Sequence, residues 1–210
     1  MSLVTALLEH PAIYRLWQAP FANQKLEPVF RYNDLTKVRR VLDVGCGPGT
    51  NTTHFANNEY LGIDFNERYI EDARQRYKRA FVVADVTQYS VEPGQGFDFI
   101  LVNSILHHIN TPDTLHILSH LNTLLTNDGH IHILELVQPD QGGIASLLTR
   151  WDRGAYARPV SEWRQIFSSI FEIVEFEAYG LRLLGKTGSF QIPVDSFNEP
   201  LAVIRWRSKP

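Results

Sequence analysis

Between Arg40 and Thr50 the chain reads RVLDVGCGPGT: an apolar, β-branched run, an acid, then glycines at the alternate positions 45, 47 and 49. Such a run is a buried strand delivered into a tight turn. The turn lacks side chains at three points, so a ligand or another piece of chain can approach its backbone closely. The same alternation of short strand and helical stretch recurs downstream. EYLGIDF reads as a second strand closing at Asp64, RAFVVAD as a third closing at Asp85, FDFILVN as a fourth closing at Asn103, and HIHILELV as a fifth.

Helical patterns fill the intervals. GTNTTHFANN reads as a short helix, and NERYIEDARQRYK as a longer one with Asn66 as N-cap, acids early and bases late. TPDTLHILSHLNTLLTNDG reads as a helix with Thr111 as N-cap, Pro112 in the first turn, Leu115, Leu118, Leu121 and Leu125 inward, and Gly129 as its stop. Strands separated by helices imply right-handed crossovers and a parallel sheet covered on both faces. The last third differs. SEWRQIFSSI is helical, while FEIVEFEAY and PLAVIRWR have no helix between them and read as an antiparallel pair at the sheet edge. Strict alternation in FEIVEFEAY would place Glu172, Val174, Phe176 and Ala178 on one side and Ile173, Glu175, Glu177 and Tyr179 on the other. The first forty residues are aromatic-rich and helical in pattern, interrupted near Pro11 and Pro20.

The bulk numbers narrow the class. The 210 residues suffice for one domain with its own core. A net charge of −3 argues against general nucleic-acid binding. The single cysteine, Cys46, excludes an intrachain disulfide framework. No apolar run reaches the ~20 residues of a membrane span. The opening MSLVTALLEHPAIYRLW lacks a basic region ahead of its apolar stretch, so a cytoplasmic protein without a secretory leader is expected.

What the glycine turn binds follows from spacing. A dinucleotide fingerprint needs G-x-G-x-x-G, and here the third glycine comes one residue early, with Pro48 in the gap. No Lys-Ser/Thr follows, so the phosphate-cradling P-loop fails too. In an open α/β sheet, ligands bind beyond the carboxyl ends of the strands. Asp64, about twenty residues past the turn, is placed to accept two hydrogen bonds from a ribose diol, although an acid there also suits a helix N-terminus. Asp85 or its neighbouring backbone can accept from an exocyclic amine. With Asn103, four successive strand ends, counting Asp43, present a polar group towards one rim.

Taken in order, VLDVGCGPGT, LGIDFN, VVADV, FDFILVNSILHHI and LLTNDGHIHILEL resemble the motifs of the class I S-adenosylmethionine-dependent methyltransferases, with the small-molecule and quinone-type branch foremost. The likeness covers about Arg40 to Leu136. It implies a Rossmann-like α/β fold with a seven-stranded, mostly parallel sheet, an antiparallel C-terminal strand, helices on both faces and an N-terminal helical lid. It implies S-adenosyl-L-methionine as cofactor and S-adenosyl-L-homocysteine as product. Asp43, Gly45, Cys46 and Gly47 would line the methionine moiety, and Asp64 the ribose. Phe65 would lie against the adenine face, Asp85 and Val86 would meet the adenine edge, and Asn103 would flank the methionine through its backbone. A sulfonium cation suits several carboxylates and no nearby Lys or Arg, whereas a pyrophosphate would want the reverse. A nicotinamide-dependent oxidoreductase and a cofactor-binding regulator without turnover stand as alternatives.

Methyl transfer is an in-line displacement for which the protein mainly aligns the acceptor and excludes water. Where the acceptor must lose a proton, His107 and His108 after the fourth strand are the candidate bases, against the alternative that the pair packs to fix the loop. Six of the eight histidines lie between His107 and His132, and His116 and His120 stand four apart, yet no acid or thiolate accompanies them, so no metal is expected. Cys46 reads as a small packing residue rather than a nucleophile. Glu135 either faces the acceptor or ion-pairs. Acceptor contacts are expected from Tyr14, Trp17, Gln18, Phe21 and Lys25 in a lid over 1–38, with packing on the sheet as the alternative, and from Arg150, Trp151, Arg153, Tyr156 and Arg158 in an insertion over 138–170. That insertion suits an anionic, aromatic or lipid-like small molecule, or is a surface helix with snorkelling arginines. Residues 39–137 would be the cofactor-binding core and 171–210 the C-terminal strands.

Overall fold

The computed structural model describes residues 22–138, 155–180 and 200–207. At its centre are five parallel strands: β1 (Arg40–Val44), β2 (Glu59–Asp64), β3 (Ala80–Val83), β4 (Phe97–Asn103) and β5 (Leu125–Leu136). Two more, β6 (Glu172–Gly180) and β7 (Pro200–Arg207), pair antiparallel beyond β5, so the order is β3-β2-β1-β4-β5-β7-β6. The chain leaves β1 towards β2 and β3 on one side and returns to β4 on the other. This reversal makes the glycine turn after β1 the topological switch point, where ligands bind in open α/β sheets.

Helices cover both faces, because successive strand residues point opposite ways. Leu42, Val44, Ile100, Val102, Ile131 and Ile133 face α3 (Thr111–Thr123) and α4 (Val160–Ile170), packing with Leu118, Leu121, Trp163 and Phe167. Val41, Phe99, Leu101 and Leu134 face α1 (Ala22–Tyr32) and α2 (Glu67–Arg76), packing with Leu26, Val29, Ile70 and Ala73. Asn66 caps α2 as expected, accepting from the Arg68 and Tyr69 amides. Among the described residues no helix is long and apolar enough to cross a membrane.

Three local expectations need correction. Asn110, not Thr111, caps α3, its side chain accepting from the Asp113 amide. The helix ends at Thr123 and the strand begins at Leu125, so neither Leu125 nor Gly129 belongs to its C-terminus. Gly129 instead fills a close approach between strands: a Cβ there would sit 2.6 Å from the Phe97 carbonyl oxygen. In β6 a register shift between Ile173 and Glu175 breaks the alternation. Ile173 and Phe176 therefore both pack on the core, and Val174 is left outside.

Of the N-terminal segment, the described part packs on the sheet. Leu26 and Val29 are buried, and Asn33 ties the end of α1 to β5 by meeting His130 Nε2 at 2.7 Å and His132 Nδ1 at 2.9 Å. Tyr14, Trp17, Gln18 and Phe21 lie outside the described residues, as do Arg150, Trp151 and Arg153. Lys25 is half-buried on α1.

Candidate functional site

The strand order sets the ends of β3, β2, β1 and β4 side by side. At the first turn the amides of Gly45 and Cys46 donate to the Ile63 carbonyl at 2.8 and 3.1 Å. Gly45, Gly47 and Gly49 all have positive φ. At Gly45 glycine is required twice over: its φ is +67°, and a Cβ would lie 2.4 Å from Ile105 Cγ2. Cys46 is buried beneath the turn, and burial raises its thiol pKa, so it is a packing residue and no thiolate.

Asp64 closes β2 at the rim and is 9% exposed. Its Oδ2 accepts from the Gly47 amide at 2.9 Å and its Oδ1 from the Asn66 amide at 2.8 Å. Burial raises its pKa against those two donors. One carboxylate thus fixes both the glycine turn and the start of α2, and each oxygen keeps a second lone pair for a ligand. Phe65 beside it is 85% exposed. Asp85 is exposed and caps the short turn Val86–Gln88. Its Oδ1 takes both the Thr87 amide and hydroxyl, which hold its carboxyl below the usual range. Val86 is buried. Asn103 is half-buried, and its Oδ1 accepts from the Ser104 hydroxyl at 3.0 Å. Ser104 has φ +57°, the one positive value at a non-glycine among the described residues.

Asp43 does not reach the rim. Strand alternation turns its carboxylate to the α1/α2 face, where it is 0% exposed. There the Tyr60 hydroxyl donates to Oδ2 at 2.7 Å and Asn51 Nδ2 lies 3.2 Å from the same oxygen. Neither Tyr60 nor Asn51 stood out in the sequence. Only the register of β1 against β2 and the fold of the turn bring them to Asp43.

The corner after β4 is built on buried charges. Glu135 accepts from the Ile105 and Leu106 amides at 2.8 and 2.7 Å through Oε1, and from the His107 amide through Oε2 at 3.3 Å. Its Oε2 also lies 2.7 Å from His107 Nδ1. An ionised carboxylate only accepts, so Nδ1 carries the proton. Burial pushes the Glu135 pKa up, but His107 and the amides outweigh it and hold the carboxyl below its ordinary range. Glu135 is fully buried and meets His107, as the ion-pairing reading of the sequence expects. His107 is 1% exposed and its ring sits 4.1 Å from that of His108, which is exposed.

Arg158 closes the other end of the same loop. It donates to the carbonyls of Leu106, Ile109 and Tyr156 and to Thr111 Oγ1, and lies 4.6 Å over the Trp163 ring. It is 3% exposed, and so not a snorkelling surface arginine. Tyr156 is exposed and its amide donates to the His107 carbonyl. Among the described residues no group of His, Cys, Asp and Glu is arranged for a metal. His120 Nε2 instead meets the Tyr89 carbonyl at 2.8 Å.

The rim thus offers two acids, an exposed aromatic ring and a glycine turn, with no Lys or Arg from Val41 to Phe65. A ligand with a diol, a flat ring and a positive charge fits these groups, and a pyrophosphate does not.

A family model described as a methyltransferase domain matches residues 41–129. The trans-aconitate 2-methyltransferase of Rhizobium leguminosarum bv. trifolii is 28% identical over 185 residues, covering 82% of this chain and 68% of that protein. The enzyme of the same description from Paracidovorax citrulli is 30% identical over 111 residues, covering 50% of this chain and only 42% of that protein. In fold, the chain is similar to the N-methyltransferase NodS of Bradyrhizobium japonicum WM9 in complex with S-adenosyl-L-homocysteine, with a TM-score of 0.70, 20% identity and 98% of each chain covered.

Proposed function

We propose that this chain is a class I S-adenosylmethionine-dependent methyltransferase, as the methyltransferase-domain match and the similar methyltransferases support, and that its acceptor is a small organic acid methylated on a carboxylate oxygen. The observation that carries this reading is the burial of His107: its ring is 1% exposed in the corner after β4, shut away from solvent. A carboxylate is already an anion at neutral pH and needs no base to become a nucleophile, so such a corner suffices. The relatives named for trans-aconitate, a small polycarboxylate, support the same class.

When bound, S-adenosylmethionine supplies an electrophilic methyl group and a thioether leaving group. The protein's part is orientation. In this reading Asp64 accepts from the ribose hydroxyls through its remaining lone pairs, and Phe65 covers the adenine. Asp85 and the Val86 amide meet the adenine edge. Gly45, Gly47 and the backbone at Asn103 flank the methionine portion. Tyr14, Trp17, Gln18 and Phe21, ahead of α1, are the proposed lid contacts, and Arg150 and Arg153, ahead of α4, provide the positive charge a polycarboxylate requires. Both groups lie within a single domain.

The test is an assay with methyl-labelled cofactor and a panel of polycarboxylic acids that includes trans-aconitate. A labelled product that releases methanol in mild alkali, as an ester does, is the expected result. A base-stable product sinks the carboxylate reading and returns exposed His108 as candidate base. Absence of binding of both S-adenosylmethionine and S-adenosylhomocysteine sinks the whole site.

A further inference from the structure

The buried acid at Asp43 has a setting that the binding of a nucleoside does not require. A carboxylate shut away from water is costly unless it is hydrogen-bonded or protonated. Here it is supported from two elements. Tyr60 reaches it from β2, and Asn51 reaches it from the chain leaving the glycine turn. The other ionisable groups around it are Asp64, at the end of β2, and Cys46, in the turn. No cation opposes it in this set. Leu101, its register neighbour on β4, is apolar. The acid therefore sits under the glycine turn with two neutral donors and no counter-ion.

Taking the glycine turn as the seat of the methionine portion, as the proposed function does, we propose that Tyr60 and Asn51 are positioning residues that set cofactor selectivity. They hold the Asp43 carboxylate as a buried negative charge beneath the turn, so that the pocket favours the sulfonium substrate over its uncharged thioether product. A charge in a poorly screened interior acts over a distance that a surface charge does not. The arrangement favours product release, because the cation that the buried anion attracts is the group that methyl transfer neutralises.

The protonation state fits this role. Burial pushes the Asp43 pKa up to about 7, against the Tyr60 and Asn51 donors and with Asp64 adding to the rise. Below that value the acid is neutral and the discrimination fades. Above it the acid is charged and the discrimination is complete. Near neutrality, binding of a cation shifts Asp43 towards its ionised form, and the proton passes to the buffer.

Calorimetry on the intact protein tests this without any acceptor. Affinities for S-adenosylmethionine and S-adenosylhomocysteine are measured from about one unit below to one unit above neutrality. Measurements in two buffers of different ionisation enthalpy count the protons released. In the native protein the preference for S-adenosylmethionine rises with pH by about tenfold, the size of one well-placed charge interaction. In Asp43→Asn that rise is lost. In Tyr60→Phe and Asn51→Ala the rise moves to higher pH, since donors that favour the ionised form are gone. The ligands' own amino groups titrate alike in every variant, so differences between variants report on Asp43. Tyr60→Phe keeps the buried ring and serves if Asp43→Asn fails to fold. Equal loss of affinity for both ligands in these variants, with the ratio and its pH profile unmoved, overturns the proposal and leaves the proposed function standing. Failure of the native protein to bind either ligand overturns that function, and this proposal with it.

Discussion

Two stretches of the same rim, the glycine-turn side at β1–β3 and the corner after β4, carry similar polar residues and use them in opposite ways. On the first, Asp64 at the end of β2 and Phe65 and Asp85 just beyond strand ends keep atoms for a ligand. On the second, Glu135, His107 and Arg158 are buried, and their polar atoms hold one loop. Glu135 gathers the amides at the start of Leu106–His108, and Arg158 gathers the carbonyls at its end. A short helical turn leaves amides unpaired at one end and carbonyls at the other, so an anion and a cation at the two ends are the complement its backbone needs. A polar strand end is therefore a poor guide to binding until its lone pairs and protons have been accounted for.

The largest effect that would test this contrast is at Glu135. Replacing it by Ala leaves three amides and His107 Nδ1 without their acceptor in a dry corner. Leaving a buried donor unsatisfied costs about 1–3 kcal/mol, and four donors are stranded here. Denaturant unfolding of Glu135→Ala is expected to show a loss of that order, with Glu135→Gln losing less. The pH dependence follows from the lowered carboxyl. Its stabilisation is present above the ordinary carboxylate range and is lost as pH falls through its depressed folded value. Acid unfolding of the native protein should thus be steeper than that of Glu135→Gln. A mild loss, below about 1 kcal/mol, would mean that the corner is not the internal clamp its geometry describes.

That asymmetry also separates what was legible in the sequence from what was not. The parallel strands could be read because each is a short apolar run bounded by turn residues, and α2 because Asn66 caps it locally. The corner could not. Glu135 meets amides about thirty positions away, and Arg158 meets carbonyls about fifty away, so no local pattern distinguishes either from an acceptor contact. Asp43 was legible as an acid in a motif, but its partners Tyr60 and Asn51 come to it only through strand register and the fold of the turn. The end of α3 was misread because Leu124 and Leu125 continue its apolar stripe, while the Phe97 amide takes the Leu124 carbonyl and draws the chain into the sheet. The β6 bulge left no signal in the alternation it breaks.

A middle-sized effect is expected at Asp64, which belongs to both kinds of region. Its carboxylate organises the turn through Gly47 and is the proposed acceptor for the ribose. Hydrogen bonds to a charged group are worth about 1.5–3 kcal/mol, so Asp64→Ala should weaken S-adenosylhomocysteine binding by at least tenfold in calorimetry, with a smaller loss of stability. An unchanged affinity alongside lost stability would move Asp64 to the internal class with Glu135.

The smallest effect sharpens the contrast most, because it separates binding from stability. Phe65 is 85% exposed, so it contributes little to the folded state. Its position next to Asp64 gives it the adenine face in the proposed site. An aromatic pair adds about 0.5–1.5 kcal/mol beyond area burial. Phe65→Ala should therefore leave the unfolding midpoint in place while weakening S-adenosylhomocysteine binding about two- to tenfold. Phe65→Tyr should restore it, since the ring and not the edge substituent carries the contact. A drop in stability without a drop in affinity would show that the ring is used by the protein itself, as His107 is, and that the open side of the rim ends at Asp64.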